Sequence, residues 1–404
     1  MTPNWRAVRS RLRVPAILAG TALCLWISLG VTLNFTAAER FPSVARQWWP
    51  AGVTAKVANA AQVLRRPSGK PEDFVHLRAE LRDAALREPV SSYALGMIGA
   101  VASSQNDQAG ARQFFHLSES MSRRNLLTQM WLIEDAVARE DVPGAIRHYD
   151  RVMKASTESR DTLLPVLVSA ASDPLILKNL LPILKGRPLW WPSYVRTMAE
   201  AGNDPGAMNA VLKAIRPDLE NFEERKLAQS IVSRMIALNA ERQAIATANQ
   251  MEKIDGERRT LKDGDFENSD GLLPFAWSFR NDQNIRAFRD TVPTGSNGVW
   301  IVSYAETAGD AAQQLIGLAP GRYIFKGTAG DVPDAPLERP EIFVRCEQGS
   351  ILKAFSLPAA QNGGRSFQFE FEVPRDNCLT QWVKLKTSRI GNTNTWLDDL
   401  SVTP

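Results

Sequence analysis

The residues able to do chemistry are few and poorly grouped. Among 404 residues the only histidines are His76, His116 and His148, and none has a partner at metal-ligand spacing. Three cysteines leave no material for a Cys-rich zinc site, which takes four Cys or His ligands. Glycoside hydrolysis needs two carboxylates facing one cleft, and no such pair stands out from the ordinary surface acids. Cys346 and Cys378 are the only cysteines outside an apolar N-terminal run, an even pair to be read as a disulfide or as two buried thiols. The expectation is a binding protein, not an enzyme, with no cofactor required.

Charge points the same way. The formal net charge is +4, and Arg6, Arg9, Arg11 and Arg13 alone account for it. The rest of the chain is close to neutral, so the basic balance is no argument for nucleic acid.

Val14–Leu33 comes next, twenty residues without a charge. A helix of that length spans about 30 Å, the thickness of a bilayer core. Arginines on its leading side predict an uncleaved signal-anchor with the N-terminus inside. The competing readings are a cleaved signal, with Thr36-Ala37-Ala38 as a weak cleavage site, and a buried soluble helix. A signal-anchor puts the bulk of the chain outside the cytoplasm, in the periplasm on the inner (cytoplasmic) membrane of a Gram-negative cell.

From Pro71 to about Gln250 apolar residues recur at helical spacing, with breaks at Pro89, Asn106-Asp107, Asp141, Asp173-Pro174, Gly186-Arg187-Pro188 and Asp204-Pro205. Asp107, Gly110, Ala111 and Phe115 return 34 residues later as Asp141, Gly144, Ala145 and Tyr149. A third copy, Asp204-Pro205-Gly206-Ala207, is one residue shorter. The period, and an Ala followed four residues later by an aromatic, resemble the tetratricopeptide repeat. That resemblance implies an α-hairpin array over roughly 90–250 that docks partner proteins. The repeat-ending proline is absent, with Ser156-Thr157 near its place.

Beyond Lys262 the period changes. In Ser366–Val373 the residues Phe367, Phe369, Phe371 and Val373 alternate with Gln368, Glu370 and Glu372, which predicts a half-buried antiparallel strand. Short runs at 272–280, 298–304, 312–318, 322–328, 341–347, 379–387 and 395–402 predict further strands of a β-sandwich or jelly roll. The expected order is thus tail and transmembrane helix (1–38), juxtamembrane linker (39–70), helical repeats (71–257) and jelly roll (258–404), a multidomain α + β chain.

GDFE (264–267), Trp277, QLIGLAPGRYIFKG (314–327) and WLDDLSV (396–402), in that order, resemble carbohydrate-binding jelly rolls of the cellulose- and xylan-binding type. The resemblance implies sugar binding through exposed aromatics that stack on pyranose rings. Strand phase sorts the candidates. Trp277 goes with Phe275 and Phe279, and Trp396 with Leu400 and Val402, so both are expected in the core. Trp382 shares a face with Thr380 and Lys384, away from Val383 and Leu385, and is the first platform candidate; Trp300 with Tyr304 is the second. The resemblance also implies a structural calcium where first and last strands meet, with Asp265, Glu267 and Asp399 as its ligands. The alternative is that Asp265 and Asp399 cap turns and strand ends.

The expected function is a non-enzymatic, membrane-anchored scaffold of the periplasm, in exopolysaccharide or cell-envelope assembly. Its helical array would hold an assembly protein and its jelly roll a polysaccharide. The alternative is a purely protein-binding factor without sugar affinity, and a glycan-active enzyme comes third.

Overall fold

The computed structural model describes residues 5–65, 71–255, 259–268, 271–304, 307–388 and 390–404, with the backbone alone at 5–16 and 71–73. The side chains of Arg6, Arg9, Arg11 and Arg13 therefore lie outside the described set. The chain forms two compact units, 1–163 and 164–404.

The first unit opens with α1 (Trp5–Thr36). Its stretch Ile17–Thr36 is long and apolar enough to cross a membrane, and a signal sequence meets the same description. Residues read from sequence as a linker form α2 (Pro42–Trp48) and α3 (Val53–Leu64). Val53 and Ala60 of α3 are buried in clusters with Leu77, Leu81 and Ala84 of α4 (Pro71–Arg87) and Ala94, Met97 and Ile98 of α5 (Ser92–Ser104). The buried residues of α2 and α3 include Ala45, Ala55 and Ala60 beside Val53, and such small side chains give a weak helical signal in the sequence.

The 34-residue period is a repeat of helix pairs. α5 and α6 (Gln108–Met121) are followed by α7 (Leu126–Ala138) and α8 (Val142–Ala155). Asp107 and Asp141 are the N-caps of α6 and α8, each accepting from the amide of Gly110 or Gly144 at 2.9 Å. A Cβ on either glycine would stand 2.3 or 2.2 Å from Oδ2 of the capping carboxylate, the oxygen beside the one that accepts the amide, so a side chain there would push the carboxylate off the cap. Ala111 and Phe115 are fully buried, and the Phe115 ring stacks on Trp131 at 4.4 Å. In the third copy the Asp204 carboxylate takes the Gly206 amide two residues on, at 2.8 Å, which accounts for its shorter spacing. α9 (Glu158–Ala170) runs across the division between the units.

The second unit contains α10 (Pro174–Lys185), α11 (Trp191–Ala201), α12 (Pro205–Ile215), α13 (Phe222–Ala237) and α14 (Glu241–Glu252). α11 packs on α13, while α10, α12 and α14 lie side by side in sequence order.

Ten strands complete the chain: β1 (Ser278–Phe279), β2 (Ile285–Thr291), β3 (Asn297–Ser303), β4 (Asp310–Ile316), β5 (Gly321–Gly330), β6 (Glu341–Cys346), β7 (Ile351–Ser356), β8 (Arg365–Val373), β9 (Gln381–Lys386) and β10 (Thr393–Thr403). They form two antiparallel five-stranded sheets, ordered β1-β4-β9-β6-β7 and β2-β3-β10-β5-β8. This is a β-sandwich, as the alternation in 366–373 required. Between the sheets Phe325, Phe367 and Phe369 stack with Phe355 of the opposing sheet, and Val383, Leu385 and Leu397 complete the layer. Cys346 and Cys378 are joined as a disulfide in this core, with Cα atoms 5.0 Å apart.

The sandwich is fastened to α14 by Arg259. Its guanidinium pairs with Glu252, donates to Asn249 Oδ1 at 2.6 Å and lies 4.5 Å from the Phe275 ring centroid. Backbone hydrogen bonds between Arg259 and Gly317 carry that anchor into the β4 end.

Candidate functional site

The aromatics chosen by strand phase lie on two different outer faces. Trp382 is on β9, beside Leu315 of β4 and Arg345 of β6, on the outer side of the first sheet. Its indole N–H donates to Glu347, and the Lys384 ammonium lies 5.7 Å from its ring centroid. The next residue in that turn, Gln348, donates to Asn239 and Glu241 at the start of α14, at 3.3 and 3.4 Å. Trp382 is thus partly covered and tied into the turn that meets the helices. Lys384 and Lys386 both pair with Asp310, at 2.7 and 3.5 Å, so one carboxylate serves both ammonium groups.

Trp300 lies on the outer side of the second sheet. Register places Phe288 of β2, Trp300 of β3 and Trp396 of β10 directly opposite one another, with Gly330 of β5 as the next member of the row. Phe288 is exposed, Trp300 is half-buried and Trp396 is fully buried. The Trp300 indole N–H donates to the carbonyl of exposed Thr291 at 3.4 Å, which fixes the ring along the sheet with part of its surface accessible. Tyr304 lies just past β3 and is half exposed; its amide donates to the Asn284 carbonyl.

Trp396 corrects the expectation from phase. It is buried, but outside the layer between the sheets, where Leu397 and Leu400 lie. A bulge between Asp398 and Ser401, with Asp399 at φ +52°, inserts one residue and reverses the alternation. Trp396 and Leu400 therefore face opposite sides despite their even spacing. The Trp396 ring lies over Gly330 and reaches Gly364; a Cβ on Gly330 would stand 2.2 Å from it.

Next to the aromatic row, the same face turns polar. Asp398 pairs with Thr328 and Thr328 with Ser366; one step further Ser401 pairs with Lys326 and Lys326 with Gln368. Lys326, Thr328, Ser366, Gln368, Asp399 and Ser401 line a shallow cleft of about 480 Å³. Donors and acceptors of several kinds thus adjoin an aromatic strip. Burial, followed by the charges of Asp399 and Asp265, pushes the Asp398 carboxyl up, while the Ser296 hydroxyl donating at 2.5 Å and the Asp399 amide oppose this. Of Phe288, Trp396 and the cleft residues, the sequence assigns a role only to Trp396, as core, and Asp399, as a calcium ligand; Ile285 and Ala287 alternating with Arg286, Phe288 and Asp290 are the signal that would place Phe288 outward on a strand.

The proposed calcium ligands sit in the same corner without forming a ligand set. Both Glu267 carboxylate oxygens accept from Asn297, at 3.0 Å from its backbone and 2.6 Å from its side chain. Leu400 donates its amide to the Gly264 carbonyl, holding Asp265 near β10. Asp399 occupies the bulge. Among the described residues no three His, Cys, Asp or Glu side chains are grouped to hold a metal. As placed, Glu267 is taken up by Asn297, and Asp398 lies close enough to Asp399 and Asp265 to feel their charges.

Two of the three histidines have protein partners, and His76 is exposed on α4. His148 is buried, with Nδ1 donating to Gln129 at 2.7 Å; burial holds its pKa down against the pull of Glu119. His116 is exposed, 3.5 Å from Glu119.

Comparison with known protein families and with curated proteins finds no match. Among solved structures, similar ones include a family 4 carbohydrate-binding module, with 19% identity over 36% of this chain and 99% of that one, at a TM-score of 0.28. A family 61 module in complex with β-1,4-galactotriose has 13% identity over 36% and 98% of the two chains, at 0.26. The enzymatically active domain of tailspike protein 4 from bacteriophage CBA120 has 13% identity over 37% of this chain, at 0.27, and only 22% of its own length is matched. The sandwich assignment rests on the sheet topology above.

Proposed function

We propose that this chain is a non-enzymatic, membrane-anchored adaptor that binds a glycan through the outer face of the β2-β3-β10-β5-β8 sheet. The observation that carries the reading is the accessible pair Phe288 and Trp300, continued by the buried Trp396 toward the polar cleft at Lys326, Thr328 and Gln368. A sugar ring presents C–H faces and a rim of hydroxyls. Aromatic surface takes the first, and mixed donors and acceptors take the second. Trp300 is preferred to Trp382 because its ring shares a face with the exposed Phe288, whereas the Trp382 indole is bound to Glu347 in the turn that meets the helices.

The helical pairs repeating every 34 residues support a tetratricopeptide-type platform for an envelope or polysaccharide-assembly protein, since stacked pairs offer extended surfaces. The apolar stretch Ile17–Thr36 supports anchoring in the inner membrane, with the folded bulk in the periplasm, where the Cys346–Cys378 bond would persist. The setting proposed is assembly or export of exopolysaccharide.

The test is migration of the purified chain through native gels cast with individual neutral and acidic polysaccharides. At least one polysaccharide should retard it, and the polymer recovered should be of unchanged length. Migration unaltered by every polysaccharide would leave a purely protein-binding factor, and a shortened polymer would contradict the non-enzymatic assignment.

A further inference from the structure

α10 and most of α11 form one of the stretches of the folded part that carry basic residues and no acid. Residues 174–199 contain Lys178, Lys185, Arg187 and Arg196 and no acid. Arg187 is already engaged, paired with Glu224 and lying 4.8 Å from the Trp191 ring centroid. Lys178 and Lys185 are exposed and have no ion pair among the described residues.

These two lysines border an apolar groove between α10 and α12. Leu180 and Leu184 point into the second unit and are fully buried. The other side of α10 carries Leu177, Leu181 and Pro182, which with Ala214 of α12 line the groove; no acid lines it. Lys178 and Lys185 are seven residues apart on that side, two helical turns, or roughly 10 Å along the axis. The groove belongs to the layer of α10, α12 and α14, not to that of α11 and α13.

We propose that this groove receives an amphipathic helix of a partner protein, with an apolar ridge and carboxylates two turns apart on its flank. The open apolar strip along α10, edged by Ala214 of α12, takes the apolar side of a helix laid along it, and the two unpaired ammonium groups select acids. It deepens the docking half of the reading above and is independent of the glycan half.

The test uses the full chain and two fluorescent, helix-stabilised peptides with the same leucine ridge, one flanked by Glu and one by Lys. The Glu peptide should bind at least about tenfold more tightly than the Lys peptide, with an affinity that falls as salt is raised. The double variant Lys178→Glu, Lys185→Glu should exchange the two preferences while leaving the melting curve and gel retardation by glycan unchanged. Equal binding of both peptides, binding of neither, or a preference unchanged by the charge exchange would overturn the proposal. So would capture of the wild type, but not the double variant, by vesicles of anionic lipid, which would assign the lysines to a membrane surface. Loss of glycan retardation with peptide exchange intact would instead count against the glycan reading alone.

Discussion

Trp396→Ala should lower the stability of the second unit by about 3–5 kcal/mol, the range for deleting a buried aromatic side chain. The indole is fully buried although it lies on the outer side of its sheet, packed over Gly330 and against Gly364. Collapse around the hole is hindered because Gly330 has no side chain to move into it and Trp300 is held across the strand pair. Gly330→Ala tests the same packing from below. Its Cβ would fall 2.2 Å from the indole, and overpacking of this kind costs about 1–3 kcal/mol. Denaturant unfolding followed by fluorescence reads both. A loss under about 1 kcal/mol for Trp396→Ala would mean that the ring is not packed as described.

Breaking the Cys346–Cys378 bond should cost about 3–4 kcal/mol, from the chain-entropy cost of a loop whose ends are 32 residues apart. Both sulfurs lie within the sandwich, and the Gln381 side chain ties the region further by donating to the Cys378 carbonyl at 2.7 Å and accepting from the Leu318 amide at 2.9 Å. The double variant Cys346→Ala, Cys378→Ala should therefore unfold at markedly lower denaturant, and the wild type in reductant should approach it. Two alkylatable thiols, beyond Cys24, in denatured protein never exposed to reductant would show that the bond does not form.

Strong local signals made most of the architecture legible. Phe367, Phe369 and Phe371 alternate with charged or amide residues, and β8 is where they predict a strand. Asp107 and Asp141 announce helix starts because the capping carboxylate and the nearby glycine form one steric unit. Two strands were not recognised. β2 carries Arg286, Arg289 and Asp290 in seven residues, and β7 is an edge strand with no residue fully buried. The site was harder to see, for two physical reasons. Period-two reasoning fails across a bulge, so Trp396 was assigned the wrong face. Nor does strand phase say which of two sheets an outward residue belongs to, so ranking Trp382 before Trp300 takes no account of β9 and β3 lying in different sheets.

The central claim is that the outer face of the β2-β3-β10-β5-β8 sheet holds the glycan, and calorimetric titration of the retarding glycan into three proteins tests it. Wild type and Trp382→Ala should bind with the same affinity, since Trp382 lies on the other sheet. Trp300→Ala should bind about tenfold more weakly or worse, consistent with roughly 1–3 kcal/mol for a stacked aromatic surface, with little change in melting. Full affinity in Trp300→Ala together with its loss in Trp382→Ala would contradict the account and move the site to the opposite face.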